Sequence, residues 1–382
     1  VRGRSSTDEE RAFREMVRAY LEDKVLPRTP EWERAGLTPK SLYAELGALG
    51  VTGVQVPEEF GGGGESSYRY NAIFGEEVAR SGASAGAVQL HLNVVLPYFL
   101  HYANREQQER WFPGFVSGES VSAIAMTEPG TGSDLAGIST TAVRAGDDYV
   151  LSGAKTFITG GIQADLVVVV ARTARDAKDR RAGLTLLVVE EGMPGFTRGR
   201  KLDKLGLRSQ DTAELSFQDV RVPVANRLGD EGAAFDQLTA NLPQERLSIA
   251  VHAQAASERA IELTTAYTLE RKAFGTPVAS FQNTKFVLAD LSAKVEAGRH
   301  LLDRALEELD AGTLSGADAA RTKLFTTELE GEVMDACLQL HGGYGYMLEY
   351  PIARMYADAR VSRIYGGSSE IMKVIIAKDL GL

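Results

Sequence analysis

The chain predicts an α+β protein in three consecutive parts: an N-terminal helical domain over residues 1–120, a middle antiparallel β-domain over 121–229, and a C-terminal four-helix bundle over 230–382. Three observations carry this reading. Apolar residues recur at helical spacing through the first part. Short β-type runs broken by glycine and proline fill the second. Long, proline-poor helical segments fill the third. The 382 residues are enough for two or three packed units.

In the first part, Phe13, Met16, Val17 and Tyr20 make one helical stripe, and Leu42, Leu46 and Leu49 make another. The glycine run at 61–64 has no preceding strand and no GxGxxG frame, so it reads as a turn and not as a phosphate cradle. Small residues at 81–87 precede a helix expected at about 88–101, leaving room for a long or bulky group beside it. In the middle part, 149–151, 156–159, 166–170, 184–189 and 214–217 read as strands. Gly146-Asp147-Asp148, Gly160-Gly161 and Met193-Pro194-Gly195 read as turns. No long helix interrupts them, which counts against a doubly wound dinucleotide fold. The last part predicts helices at about 235–271, 282–311, 316–340 and 369–380, with Pro243 inside the first. Helices of this length with short loops form an antiparallel bundle.

A formal net charge of -10 and a pI near 5.2 argue against nucleic acid or an anionic membrane surface as the main partner. The single cysteine, Cys337, excludes an intrachain disulfide and fits a cytoplasmic location. His91, His101, His252, His300 and His341 stand in no HExxH frame, and a lone cysteine makes no CxxC, so no metal centre is expected. The polar stretch 1–10 predicts no signal peptide, and apolar runs such as 166–171 are too short to span a bilayer.

Three segments have the residue types for chemistry. Residues 125–134, AMTEPGTGSD, combine glycines, hydroxyls and free backbone N–H groups, which suit close approach to a phosphate or ring edge; a surface turn accounts for them equally. QLHGGYGY at 339–346 and IYGGSSE at 364–370 are glycine-dense breaks beside aromatic residues, serving either a flat ligand or helix capping. Within 241–249, NLPQERLSI, Glu245 shares a helical face with Leu238, Leu242, Ile249 and Ala256. A carboxylate on an apolar face is unfavourable unless it is paired or functional; an ion pair or a solvated face is the plain alternative.

These segments, with KTFITGG at 155–161, KLGLRSQDTAELSFQDVRVP at 204–223, RKAFG at 271–275 and QLHGGYGYMLEYPIARMYADAR at 339–360, resemble the acyl-CoA dehydrogenase family over nearly the whole chain and in the family's order. The resemblance implies a helical domain, a β-domain and a four-helix bundle, FAD as cofactor, and a homotetramer. It implies that Ile124, Met126, Thr127, Gly132 and Ser133 line the flavin, with Phe157 and Thr159 against it from the β-domain; many members have tryptophan where this chain has Phe157. Arg271, Phe274, Gln282, Gln339, Gly342 and Gly343 would reach the FAD of a neighbouring subunit, and Ser368 and Glu370 its adenosine side. Ser133, Arg246, Tyr365 and Gly366 would meet the acyl thioester, Arg246 having a structural ion pair as its plain alternative.

Many members of the family hold their base as glutamate in a Tyr-Glu-Gly-Thr frame before the last helix. Here that frame reads Tyr365-Gly366-Gly367-Ser368. A minority, including the long-chain and isovaleryl branches, place the glutamate on the first long helix of the last domain, and Glu245 within LPQER matches that position. The resemblance is strongest to the long-chain branch. It implies that Glu245 abstracts the α-proton, that flavin N5 accepts the β-hydride, and that the Gly366 N–H binds the thioester carbonyl. An acyl-CoA would become a trans-2-enoyl-CoA, with electrons passing to an electron-transfer flavoprotein. The other expectations are a carrier-protein thioester as substrate, an oxidase or monooxygenase of the same fold, and a non-catalytic FAD-binding subunit.

Overall fold

The computed structural model describes residues 7–176 and 178–382. Residues 1–6, part of the polar start on which the signal-peptide expectation rests, lie outside them.

The N-terminal part is helical throughout. It comprises α1 (Asp8–Tyr20), α2 (Thr29–Ala35), α3 (Ser41–Ala48), α4 (Arg69–Ser81), α5 (Val88–Leu90), α6 (Leu96–Tyr102) and α7 (Arg105–Ser117). A capping box starts α1, where the Thr7 side chain and the Glu10 carboxylate exchange bonds with each other's backbone N–H. Its apolar stripe turns inward: Val17 is buried, and Phe13, Met16 and Tyr20 pack against the same core. The expected helix at 88–101 is present but not uniform, since a π-helical turn, His91–Val95, joins α5 to α6. The glycines at 61–64 form a turn. The Gly63 and Gly64 N–H groups bond to the Gly53 and Val56 carbonyls, and a Cβ on Gly62 would stand 2.0 Å from the Val56 oxygen.

The middle part holds β1 (Ser122–Ala125), β2 (Thr141–Ala145), β3 (Asp148–Thr159), β4 (Leu166–Arg172), β5 (Leu184–Glu190), β6 (Phe196–Lys201), β7 (Thr212–Pro223) and β8 (Arg227–Leu228). The sheet order is β6-β7-β3-β2-β4-β5-β8, with β1 on β4. Pairing is mainly antiparallel, but β1 runs parallel to β4, and Thr141 meets Arg172 in a parallel pair. The sheet is therefore mixed where the sequence reads as antiparallel throughout. A parallel partner needs a crossover, here formed by β2 and β3, which local spacing does not reveal. The two runs expected at 149–151 and 156–159 are one strand, β3, whose irregularities are absorbed as bulges against β7.

β4 is buried along its whole length because both faces are covered. Val167 and Val169 face the β-core with Leu187 and Phe217, while Val168 and Val170 join the helical core of Phe99, Phe112 and Phe115. This strand ties the first two parts together.

The C-terminal part contains α8 (Ala234–Glu270), a short hairpin of β9 (Lys272–Ala273) and β10 (Thr276–Pro277), α9 (Gln282–Asp310), α10 (Gly316–His341), α11 (Pro351–Ala359) and α12 (Ser369–Asp379). The long helices match the expected ones to within a residue or two. α11 is additional. Pro351 opens it, at a position where a missing N–H does no harm. α8 is the spine: one side meets Leu291, Val295 and Val333, and another meets Tyr68 and Ala72 of the first part. Among the described residues, no helix is long and apolar enough to cross a membrane.

Candidate active site

The spine helix α8 brings Glu245 to the loop that precedes α12. An added Cβ on Gly366 would lie 3.7 Å from Glu245 Oε1, 3.7 Å from Lys323 Cε and 2.4 Å from Ile249 Cδ1. The two positions at which the resemblance allows a base therefore face one spot, and here only one of them carries a carboxylate. Gly366 has φ 62°, a left-handed conformation natural to glycine.

Glu245 keeps part of its side chain accessible, but its Oε2 is enclosed and has no hydrogen-bond partner. Burial raises its pKa above the usual carboxylate range, against the opposing pull of the Arg246 and Lys323 charges. A buried carboxyl group without a donor is too unfavourable to persist as filler; it needs a function or a ligand. Neither plain alternative from the sequence is met: this oxygen has no donor, and it is not solvated.

Arg246 is buried and its Nε has no partner; burial lowers its pKa, while Glu245 raises it. Tyr98, from α6, adds a buried hydroxyl beside Asn241; burial and then the nearby Glu245 charge raise its pKa.

A second group of residues forms a cradle on the β-domain. Its anchor is a buried ion pair that the sequence reading did not single out, Glu128 with Lys155 at 2.9 Å. Glu128 also accepts from the Ser139 N–H, the Ser139 hydroxyl and the Thr140 N–H. Burial alone would raise Glu128, but these donors and Lys155 outweigh it and hold it at about 2. Burial pushes Lys155 down to about 8 against the attraction of Glu128. Lys155 Nζ also donates to the Met126 carbonyl, and the Thr156 N–H donates to Thr127 O at 2.9 Å. The 125–134 loop is thus pinned from beneath at Met126, Thr127 and Glu128. Its outer side stays open: Gly132 and Ser133 are exposed, Thr127 is half-buried, and nothing lies within 4 Å of an added Cβ on Gly132. Ile124 is buried in β1, where it joins the helical core.

Phe157 follows this anchor in β3. It has φ 59°, lies in the bulge between Lys155 and Ile158, and is 67% exposed. A phenylalanine held in a strained backbone and left uncovered is suited to stack on a flat ligand. Thr159 is half-buried two residues on. The residues present fit a flavin in this cradle: hydroxyl and N–H donors on an open glycine loop, beside an uncovered aromatic ring.

A third group forms at the C-terminal end of α10. Arg271, Gln339, Gly342 and Gly343 line one cavity of about 460 Å³ with Tyr267, His341 and Tyr344. Phe274 and Gln282 do not line it. Phe274 stands on the β9–β10 turn with φ 50° and is 98% exposed; Gln282 is exposed at the start of α9. Ser368 is the N-cap residue of α12, with Glu370 in its first turn, where a Ser368 hydrogen bond lowers the Glu370 pKa. Of the site's missed residues, Lys155, Lys323 and Tyr98 share one signal, a charged or hydroxyl group at a buried position in a helix or strand, whereas Glu128 lies in the loop after β1 and carries no such periodic signal.

Comparison with known proteins identifies the family. The N-terminal, middle and C-terminal domain models of acyl-CoA dehydrogenase match residues 7–119, 123–220 and 232–381. The mitochondrial long-chain specific acyl-CoA dehydrogenase of Sus scrofa is 45% identical over 368 residues, covering 96% of this chain and 85% of that protein. A crystal structure of an acyl-CoA dehydrogenase from Geobacillus kaustophilus superposes with a TM-score of 0.97 at 46% identity, over 100% of both chains. A glutaryl-CoA dehydrogenase from Mycobacterium smegmatis, solved in complex with FADH2, superposes at 0.89 with 28% identity, over 98% of this chain and 95% of that one. With all three of its parts matched in order, the chain belongs to the acyl-CoA dehydrogenase family.

Proposed function

We propose that the protein is an FAD-dependent dehydrogenase that converts an acyl-CoA to its trans-2-enoyl-CoA, with Glu245 as the base for the α-proton. The observation that carries this is the enclosed, unpartnered carboxyl oxygen of Glu245 beside Gly366. FAD, held by the 125–134 loop, Phe157 and Thr159, supplies the hydride acceptor when bound.

The chain's own residues have three tasks. Glu245 takes the proton at the α-carbon, and its burial raises its proton affinity, which strengthens it as a base. The Gly366 N–H meets the thioester carbonyl and stabilises negative charge developing on its oxygen. The walls formed by Ile249, Tyr98 and α8 hold the acyl group in line and exclude water, which lowers the entropic part of the barrier. Ser133, Arg246 and Tyr365 are proposed to contact the thioester or its carrier. Arg271, Phe274, Gln282, Gln339, Gly342 and Gly343 are proposed to reach FAD in an adjoining subunit of a homotetramer, and Ser368 and Glu370 its adenosine end. Electrons would leave to an electron-transfer flavoprotein. A long acyl chain is the first to test, given the long-chain relative from Sus scrofa.

The deciding experiment is Glu245→Gln. Its FAD content stays at the wild-type level, and anaerobic bleaching of the flavin by an acyl-CoA slows by roughly 10²–10⁴-fold. Bleaching at the wild-type rate removes Glu245 from the mechanism.

A further inference from the structure

Lys323 is 1% exposed, in the first half of α10 among Ala319, Ala320, Thr326 and Thr327. A buried ammonium ordinarily takes a carboxylate as partner. This one donates to two carbonyls, Tyr365 O at 2.7 Å and Gly367 O at 2.6 Å. Those carbonyls bracket Gly366. Gly366 and Gly367 have φ 62° and 93°, so the loop takes a consecutive left-handed path that two bonds to a single cation hold in place.

The direction of the Gly366 N–H follows from this geometry. The peptide joining Tyr365 to Gly366 is planar and trans, so its C=O and N–H point opposite ways. Holding the Tyr365 carbonyl toward Lys323 turns the Gly366 N–H away from it. A cation on that carbonyl also polarises the peptide and makes the same N–H a stronger donor.

We propose that Lys323 is the positioning residue of the site: it holds the peptide that precedes Gly366 and the one that follows Gly367, so that the Gly366 N–H is aimed and polarised toward the thioester carbonyl. The proposal rests on the reading of Glu245 as base and Gly366 as carbonyl donor. It differs from a packing role because a packing lysine would not set the donor strength of an N–H that carries no side chain.

Its charge has a second effect. The groups that face Glu245 are Arg246 on α8, Lys323 from α10, Tyr98 from α6 and the backbone at Gly366. Arg246 and Lys323 favour the carboxylate. On Lys323 itself, burial lowers the pKa to about 8; Arg246 acts in the same direction, and Glu245 and then Glu328 oppose it. Glu245 must be ionised to accept a proton, so activity rises with pH through its pKa. Removing the Lys323 charge raises that pKa and moves the acid limb to higher pH.

The test compares Lys323→Met and Lys323→Arg with Glu245→Gln, all as FAD-loaded full-length protein. In Lys323→Met, kcat for an acyl-CoA falls roughly 10²–10³-fold, the range for loss of one carbonyl-stabilising donor, while KM changes by no more than about threefold. The acid limb of kcat/KM moves to higher pH. In Lys323→Arg the limb stays in place because the charge remains, and kcat falls because a planar fork does not reproduce a point donor. A third readout needs no turnover. The infrared stretch of a carbonyl-13C-labelled 2-enoyl-CoA shifts to lower frequency on binding the wild type, and that shift shrinks in both variants. Wild-type kcat, or an undiminished carbonyl shift in Lys323→Arg, overturns the proposal even if Lys323→Met does not fold. If Glu245→Gln retains wild-type bleaching, the underlying reading fails instead.

Discussion

At the scale of single residues, the site is defined by what stands at positions 245 and 366. Both can place a group at the same point, and the chain uses glycine at one and glutamate at the other. A base moved to 366 would meet two obstacles: a left-handed φ of 62°, and Ile249 Cδ1 only 2.4 Å from the new Cβ. A left-handed backbone costs a non-glycine residue roughly 1–2 kcal/mol. Glu245→Gln with Gly366→Glu therefore recovers little activity, and adding Ile249→Ala, which clears the close contact, raises turnover at least about tenfold over the double variant, a difference of about 1.4 kcal/mol in barrier. Steady-state kinetics on the two variants checks this. No gain from Ile249→Ala would mean that the backbone, and not the side chain, prevents the transfer.

At the scale of elements, the β-domain uses its interior to hold a loop. Glu128 and Lys155 lie in the motifs TEPG and KTFITGG, 27 positions apart, and the fold joins them under Met126 and Thr127. Removing one partner leaves a charge uncompensated in the interior, typically a loss of 3–5 kcal/mol. Lys155→Met is expected near the lower end, about 3 kcal/mol, because Glu128 retains its Ser139 and Thr140 donors. Lys155→Met with Glu128→Gln recovers part of that. Urea unfolding midpoints measure both, and FAD released on dialysis shows whether the loop depends on the pair. Each motif was visible as a segment in the sequence. The pair was not, because periodicity reports which face a residue occupies and not which distant residue it meets.

At the scale of the molecule, the three parts are joined by burial and charge. β4 packs on both its faces, and Arg299 of α9 bonds Glu76 of α4 and Glu258 of α8 in the interior. The outer surface is less complete. Phe274 is almost fully exposed on a strained turn, and Tyr346 and Leu348, between α10 and α11, are exposed as well. Such features on one chain are what a neighbouring subunit would cover. Phe274→Asp is expected to give a smaller species than the wild type in light scattering and to lower its FAD content, while circular dichroism stays unchanged. A species of wild-type size with full FAD content would assign Phe274 no part in assembly.

The sequence by itself determined the order of helices, strands and helices, because hydrophobic period and turn chemistry are local. It also singled out Glu245, an apolar-face carboxylate whose family counterpart at 366 is glycine. Tertiary structure alone decided the parallel pairing of β1 with β4, the Glu128–Lys155 anchor, the enclosure of the unpartnered Glu245 oxygen beside Gly366 and the Lys323 bonds around Gly366. Each of these joins residues far apart in the chain, and their partners are set by packing of whole elements, which no local pattern encodes.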